Sequence, residues 1–329
     1  MTHHDTHFAP INRGYDSVFR PGRLSVGLVA PIENHHGPIP TMDRHLERVR
    51  LAEELGFAAV WLRDVPFNVD SFGDAGQLHD PFVYLGLLAG ATERIALGTA
   101  SIVLPLRHPA HVAKAAASAD VLSGGRVILG VASGDRPDEF PAMNVPFEER
   151  GERFRESFEY LTRMADERPR FTNSFGTTNT AIDLLPKPTG GRLPLMITGS
   201  SRQTPEWVAR HGDGWMTYPR ANAVQTSHAI DQYRDAVDAA GRDMQPVMQP
   251  LYIDLADDPS ERMRPIHLGY RLGVDRLGEH LRSLEAAGVN HVALNLRFNT
   301  SPVEPTLETL ANHLLPDFTH QGALTCQPS

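Results

Sequence analysis

The feature that most constrains this chain is its rhythm: short apolar runs alternate with amphipathic, helix-compatible segments from residue 24 almost to the end. Residues 24–30, 58–62, 95–104, 127–132, 195–198, 214–217, 247–255 and 291–296 read as strands. Helices are expected at 41–55, 81–88, 109–122, 148–165, a stretch ending at His211, and then 223–240, 275–287 and 306–315. Local signals punctuate them: Thr41 as an N-cap, Gly56 as a stop, Pro81 in a first turn, and Ser123-Gly124-Gly125 after the third helix. About eight strand–helix units define a single α/β domain, a (β/α)8 TIM barrel over residues 24–316 with insertions in its βα loops. Residues 1–23 would precede it as an extension and 317–329 would follow as a tail. Residues 168–194, rich in Thr, Asn, Gly and Pro, read as an excursion outside the core. A doubly wound open sheet has the same alternation, but no GxGxxG follows the first strand, where LVAPIENHHG stands.

Composition narrows the partners. A formal net charge of −9 with no basic block argues against nucleic acid. The single cysteine, Cys326, excludes an internal disulfide framework and a Cys-based zinc site. The first residues, MTHHDTHFAPINRGYDSVF, lack the pattern of a signal peptide, and no apolar run approaches the ~20 residues that span a bilayer. A cytoplasmic protein with no membrane partner is expected.

In a barrel, chemistry sits at the C-terminal ends of the strands. At one such end Thr198-Gly199-Ser200-Ser201 separates an apolar run from a helix led by Pro205, a combination that suits an anion and also suits a plain capped helix start. Other exits are runs of small residues, Ala100-Ser101 and Ala132-Ser133, which leave room for a flat ligand or merely cap a tapering barrel. A phosphate at Gly199, Ser200 and Ser201 with a planar group over the centre is the geometry of a flavin mononucleotide. Arg63-Asp64 is either a mutual ion pair or a cation placed beside a reduced flavin's delocalised charge. His35 and His36 lie in the first βα loop, within reach of a substrate as acid or base. His108 and His111 share a helical face without a third ligand, so no metal is expected. No GxSxG elbow supports a hydrolase.

The segments AEELGFAAVWLRD (52–64), ERIALGTASIVLPLRHP (93–109), DVLSGGRVILGVASG (120–134), LLPKPTGGRLPLMITGSS (184–201) and ARHGDGW (209–215) occur in an order and spacing that resembles the bacterial luciferase-like superfamily. That superfamily holds flavin-dependent monooxygenases, including alkanesulfonate monooxygenase, and deazaflavin (F420)-dependent oxidoreductases. The resemblance implies a non-prolyl cis peptide at Ala100-Ser101 under the flavin ring, Ala132 and Ser133 along the ring and ribityl chain, and Gly199, Ser200, Ser201 and Thr204 around the phosphate. With Ala30 and Trp61 from the first two strands, these form the expected cofactor-binding set; Arg63, Asp64, His35 and His36 form the expected catalytic set. The region after Gly134 and the 168–194 excursion would shape the substrate mouth, together with loops 32–40, 65–79 and 136–146.

One departure matters. Luciferases carry a catalytic histidine just after the acidic residue of the second strand, and F420 enzymes often show Asp-His there; this chain has Asp64-Val65-Pro66. Light emission is therefore not expected, and proton transfer would fall to His35, His36 or His79. The resemblance implies an FMN-dependent monooxygenase that takes reduced FMN from a separate reductase and uses O2 on a small organic substrate. An F420-dependent hydride-transfer enzyme and a non-catalytic flavin-binding barrel are the alternatives. It also implies a homodimer formed through early helices, although the apolar segment 81–90 suits an intramolecular core equally well.

Overall fold

In the computed structural model, which describes residues 7–35, 37–72, 76–179 and 181–318, eight parallel strands close into a barrel. They are β1 (Ser25–Val29), β2 (Ala59–Leu62), β3 (Ala96–Thr99), β4 (Val127–Ala132), β5 (Leu195–Thr198), β6 (Gly214–Met216), β7 (Val247–Leu255) and β8 (His291–Asn295). The ring closes where Ser25 to Leu28 of β1 register with His291 to Leu294 of β8. Each strand is followed by a helix: α1 (His45–Leu55), α2 (Pro81–Ala91), α3 (Pro109–Leu122), α4 (Arg150–Arg163), α5 (Pro205–His211), α6 (Ala223–Ala239), α7 (Val274–Ala286) and α8 (Val303–His313). Among the described residues no helix is long and apolar enough to cross a membrane.

Strand alternation sorts side chains into two sets. Val26, Leu28, Val60, Leu62, Leu97 and Leu129 face the helices in the main core, whereas Val29, Ala59, Trp61, Ala96, Ile128, Met196, Met216, Met248 and Ala293 fill the barrel. Trp61 needs a gap opposite. A Cβ on Gly98 would lie 2.2 Å from the indole, so only glycine fits there. Below the indole a polar chain is fixed by donor arithmetic. Trp61 Nε1 can only donate, so His291 Nε2 accepts it at 2.8 Å; His291 Nδ1 then donates to Ser25 Oγ at 2.7 Å, and that hydroxyl donates to the Val18 carbonyl.

Residues 8–19, assigned from sequence to an extension ahead of the barrel, close its floor. Phe8, Ile11, Tyr15, Val18 and Phe19 are buried with the interior set, and a short helix, Arg13–Val18, is capped by Asn12. The Asn12 amide donates to Asp120 and to the Val127 carbonyl, and Tyr15 OH donates to the Asp213 carbonyl at 2.7 Å. At the other end of the chain Phe318 is buried in a last turn, Leu315–Phe318; residues 319–329, with Cys326, lie outside the described residues.

Three expectations need correction, and one insertion is new. Helix α1 starts at His45, because Arg44 takes a left-handed conformation (φ 55°) and Thr41 accepts only from the Asp43 amide in the preceding turn. The run 95–104 is not one strand: the Ala100–Ser101 peptide is cis, as the resemblance implies, and pairing resumes at Ile102–Val103 against β4. The 168–194 excursion does not reach the mouth. It leaves from the α4–β5 connection as a hairpin, Phe171–Asn173 with Gly176–Thr178, and packs on the outside of α4 through Phe171 on Tyr160 and Phe175 on Arg153 and His108. An insertion not foreseen, the hairpin Arg264–Ile266 with Gly269–Leu272, sits in the β7–α7 loop on the working face.

Arg126 holds the lower rim. Among the described residues its buried guanidinium meets no carboxylate and donates instead to the carbonyls of Ser123, Ile95, Ala89 and Thr92 and to Thr92 Oγ1. The carbonyls of Ala89, Thr92 and Ser123 belong to the ends of α2 and α3, where the helix dipole favours a cation, and that of Ile95 directly precedes β3. Arg126→Met is expected to lower the unfolding free energy by about 3 kcal/mol or more, because several buried acceptors lose their donor at once; urea denaturation checks it, with Arg126→Lys falling between.

Candidate active site

The strand exits surround one cavity of about 880 Å³. Ala100, Ser101, Ala132 and Ser133 supply one wall, so the small residues at the β3 and β4 exits face the same space as Ser200, Ser201 and Arg202 beyond β5. Ser101 Oγ bonds Thr198 Oγ1, tying the β3 bulge to the end of β5, and Thr198 Oγ1 also meets Met216 Sδ at 3.3 Å. Gly134 (φ 85°) turns the chain away directly after Ser133.

The loop after β5 turns sharply. Gly199, Ser201 and Arg202 have φ of 55°, 44° and 64°, turn conformations that make the loop a candidate anion nest. The loop's own bonds use the amides of Gly199, Arg202 and Gln203 and the hydroxyl of Ser201, which donates to the Thr198 carbonyl. The first turn of α4 presses on this loop. A Cβ on Gly151 would come within 2.8 Å of Arg202 Cβ, and Gln203 Nε2 donates to the Gly151 carbonyl at 2.7 Å. Arg150, beside it, lies 3.5 Å over the Phe147 ring and has a buried Nε without a partner. Burial and the adjacent Arg202 both lower its pKa. Two crowded cations, one with an unspent donor, are what an anion in this pocket would relieve.

The expected site residues divide accordingly. Arg63 lines the cavity, packed 3.3 Å from where a Cβ of Gly76 would be, and its carbonyl accepts from Gln77. Asp64 does not pair with it. The Asp64 carboxylate accepts from Arg107 Nε and Nη2 at 2.9 and 2.7 Å and from the Val103 amide at 3.0 Å, so its oxygens are occupied and it positions loops instead of moving protons. Arg107 also reaches Asp80, the N-cap of α2, and both carboxylates raise the Arg107 pKa against the opposing effect of burial.

Ala30 and Trp61 do not line the cavity. Ala30 is one position past the inward-facing Val29 and packs toward the helices, while Trp61 points inward one layer below Arg63. Gly199 provides the turn rather than a wall, its carbonyl accepting from Trp215 Nε1 at 3.0 Å. Thr204 is consumed as a cap, accepting from the Trp207 amide and donating to Glu206. His35 bonds Gly37 and Arg297 main chain away from the cavity lining, and His79 packs on His45 and Tyr84; His36 lies outside the described residues.

Sequence reasoning missed the other half of the mouth. Tyr218, Tyr252, His267, Leu268 and Phe298 line it from the β6, β7 and β8 exits, beside Arg297, which the sequence places at the end of the last strand. It also missed Glu139, buried behind Arg136 and Asp135 in the β4–α4 loop. One Glu139 oxygen has no partner, and burial pushes the carboxyl up to about 7 against the pull of Arg136, with Asp64 and Asp135 adding to the rise.

The β3 and β4 exits thus present small residues to one cavity, and the β5 exit meets it with a left-handed turn beside two arginines. The family model for luciferase-like monooxygenases matches residues 21–325, and the chain belongs to that family. An uncharacterized protein of Mycobacterium tuberculosis is 33% identical over 237 residues, 67% of this chain and 82% of its own length. An F420-dependent glucose-6-phosphate dehydrogenase of Kineococcus radiotolerans is 27% identical over 79% of this chain and 72% of its own. The oxygenating constituent of 3,6-diketocamphane monooxygenase from Pseudomonas putida, solved with FMN, superposes with a TM-score of 0.72 at 13% identity, covering 90% of this chain and 99% of that one, a likeness of fold.

Glu139 yields a pH prediction. The native state holds its proton more tightly than the unfolded chain does, so stability falls as pH rises from the ordinary value of 4.5 through about 7, and the penalty is complete above that. Glu139→Gln is expected to flatten this part of the curve of unfolding free energy against pH; an unchanged slope would show that the carboxyl titrates normally.

Proposed function

We propose that this chain is an oxidoreductase that holds reduced FMN in the 880 Å³ cavity and oxygenates a small organic substrate with O2. The observation that carries the reading is the shared cavity: a nest with two arginines at one end and a wall of Ala100, Ser101, Ala132 and Ser133 beside it. Ser200, Ser201, Arg150 and Arg202 would hold the phosphate, and the wall would take the planar head. When bound, the cofactor supplies the electrons and the oxygen chemistry. The chain's own part is electrostatic and steric. Arg63 places a cation at the β2 exit, where it favours an anionic reduced ring. The buried floor of Trp61, Met216 and Met248 keeps water from below. Reduced FMN would come from a separate reductase, which places the work in the cytoplasm.

A second reading, hydride transfer from reduced F420, draws on the open side of the nest. Ser200 and Arg202 are exposed, leaving an exit for a chain that continues beyond the phosphate, and the Kineococcus relative is F420-dependent. Anaerobic fluorescence titration with reduced FMN, reduced F420 and riboflavin separates the cases. Under the first reading FMN binds and riboflavin, lacking the phosphate, binds at least about tenfold more weakly, the loss of one charge-assisted contact. Arg202→Gln should erase most of that difference. Flavin binding with neither oxygen uptake nor hydride transfer across a substrate panel would return the chain to a non-catalytic barrel, and binding of none would end the proposal.

We also propose a homodimer through α2. Val83 and Leu87 are 73% and 47% exposed on its outer face, and Cβ atoms on Gly86 and Gly90 would meet open space. The double variant Val83→Asp with Leu87→Asp is expected to elute as a folded monomer where the parent elutes as a dimer, with mass read by light scattering.

A further inference from the structure

Oxygenation with O2 requires a source of protons inside the cavity. Reduced FMN, O2 and substrate become FMN, oxygenated substrate and water; without substrate, reduced FMN and O2 become FMN and hydrogen peroxide. Either way the oxygen that departs takes up a proton. Most ionisable groups on the lining are unsuited to supply it. Arginine does not give up its proton. The Asp64 carboxylate is taken by Arg107 and the Val103 amide. Burial raises the Tyr218 phenol, Asp135 and Tyr252 add to the rise, and Arg63 opposes it, so that hydroxyl holds its proton. His35 and His79 are turned elsewhere. Asp135 is the other carboxylate on the lining, and among the described residues one histidine stands there, His267.

His267 is carried at the turn of the hairpin Arg264–Ile266 with Gly269–Leu272. Its ring meets those of Tyr252 and Phe298 at centroid distances of 5.7 and 6.0 Å and at angles of 70° and 80°. Two rings set nearly at right angles to it limit its rotation. The backbone beneath is fixed as well: a Cβ on Gly269 would come within 1.7 Å of the Tyr252 carbonyl, and the Tyr252 amide donates to the Leu268 carbonyl at 3.2 Å. Among the described residues neither ring nitrogen of His267 has a hydrogen-bond partner, and the residue is exposed. The charged and titratable groups around it are Arg297 from the β8 exit, over the Phe298 ring at 5.1 Å, and the Tyr252 hydroxyl from β7. Around the hairpin stand the ion pairs of Arg264 with Glu261 and Arg271 with Asp254, and His280 of α7 packs on Tyr270. An imidazole so placed touches water on one side and the cavity on the other with its nitrogens unspent, as a proton shuttle must.

We infer that His267 is the proton shuttle of this cavity, giving a ring proton to the oxygen that leaves and recovering one from solvent. The inference deepens the proposed function and rests on it for the cofactor. Electrons pass from reduced FMN to O2; the imidazolium only loses and regains H+, so its own redox state is unchanged. The β2 exit has Val65 and Pro66 after Asp64, and the duty passes to the β7–α7 loop.

The test needs no substrate. The full chain, loaded with reduced FMN under anaerobic conditions, is mixed with O2 in dilute buffer, and FMN absorbance and hydrogen peroxide are followed as a function of pH. His267→Gln is expected to slow peroxide release at least about tenfold while FMN affinity stays within about twofold. Added imidazole should restore the rate with saturation and leave the parent unchanged. His228→Gln, on the exposed face of α6, should behave as the parent. A second readout is the set of imidazole signals of isotope-labelled protein: the one missing in His267→Gln should shift when reduced FMN binds, and that of His228 should not. Peroxide release unchanged in His267→Gln, or slowed without rescue by imidazole, overturns the inference. So does a His267 signal that FMN leaves unmoved, or an Asp135→Asn variant that is slowed and rescued in its place. FMN that does not bind ends the proposed function and this role with it; FMN that binds in a chain indifferent to His267 ends the role alone.

Discussion

The bidentate contact between Arg107 and Asp64 is the constraint on which the shape of the mouth depends. The carboxylate is at the end of β2, and the guanidinium stands two residues ahead of α3. The same carboxylate takes the Val103 amide just beyond the cis Ala100–Ser101 peptide, and the same guanidinium takes Asp80 at the start of α2. One ion pair thus sets where three successive loops leave the barrel. Asp64 is buried, so loss of Arg107 would strand its charge, whereas Arg107 is partly exposed and keeps Asp80. The flat wall at Ala100 and Ser101 is a consequence of that pairing as much as of small side chains.

Around this frame, charge is distributed against the chain's average. An acidic protein gathers arginines around the cavity at its strand exits, and low-dielectric walls focus the resulting field onto whatever enters. Gly151 lets the first turn of α4 press on the loop after β5, so that Arg150 and Arg202 stand on adjoining backbones.

Most of the fold was legible because periodicity reports burial. Strand runs of β-branched and aliphatic residues matched the barrel nearly residue for residue, since every strand of a closed parallel barrel is covered on both sides. What failed was register and tertiary pairing. Ala30 directly follows β1 and Trp61 lies on β2, both strands correctly placed, yet one faces the helices and the other a deeper layer, a distinction that requires knowing which residue of each strand reaches the rim. Asp64 was adjacent to Arg63 in sequence and partnered by Arg107 in space, forty-odd residues away. Thr204 carried an N-cap signal that was real and left nothing over for a ligand. His267 and Phe298 gave no signal: they sit in loops without a motif, and only the hairpin behind them brings their rings together.

The floor of the barrel orders events in time. Tyr15 closes on the carbonyl of Asp213, 198 positions downstream, and Ser25 on His291, 266 positions downstream. A ribosome therefore releases the plug long before the socket exists, and the aromatic side chains of residues 8–19 must wait, exposed, for most of the polypeptide to be made. Synthesis of this protein has an interval in which its first apolar residues have no home, and a chaperone that shelters the amino-terminal segment would act at that stage.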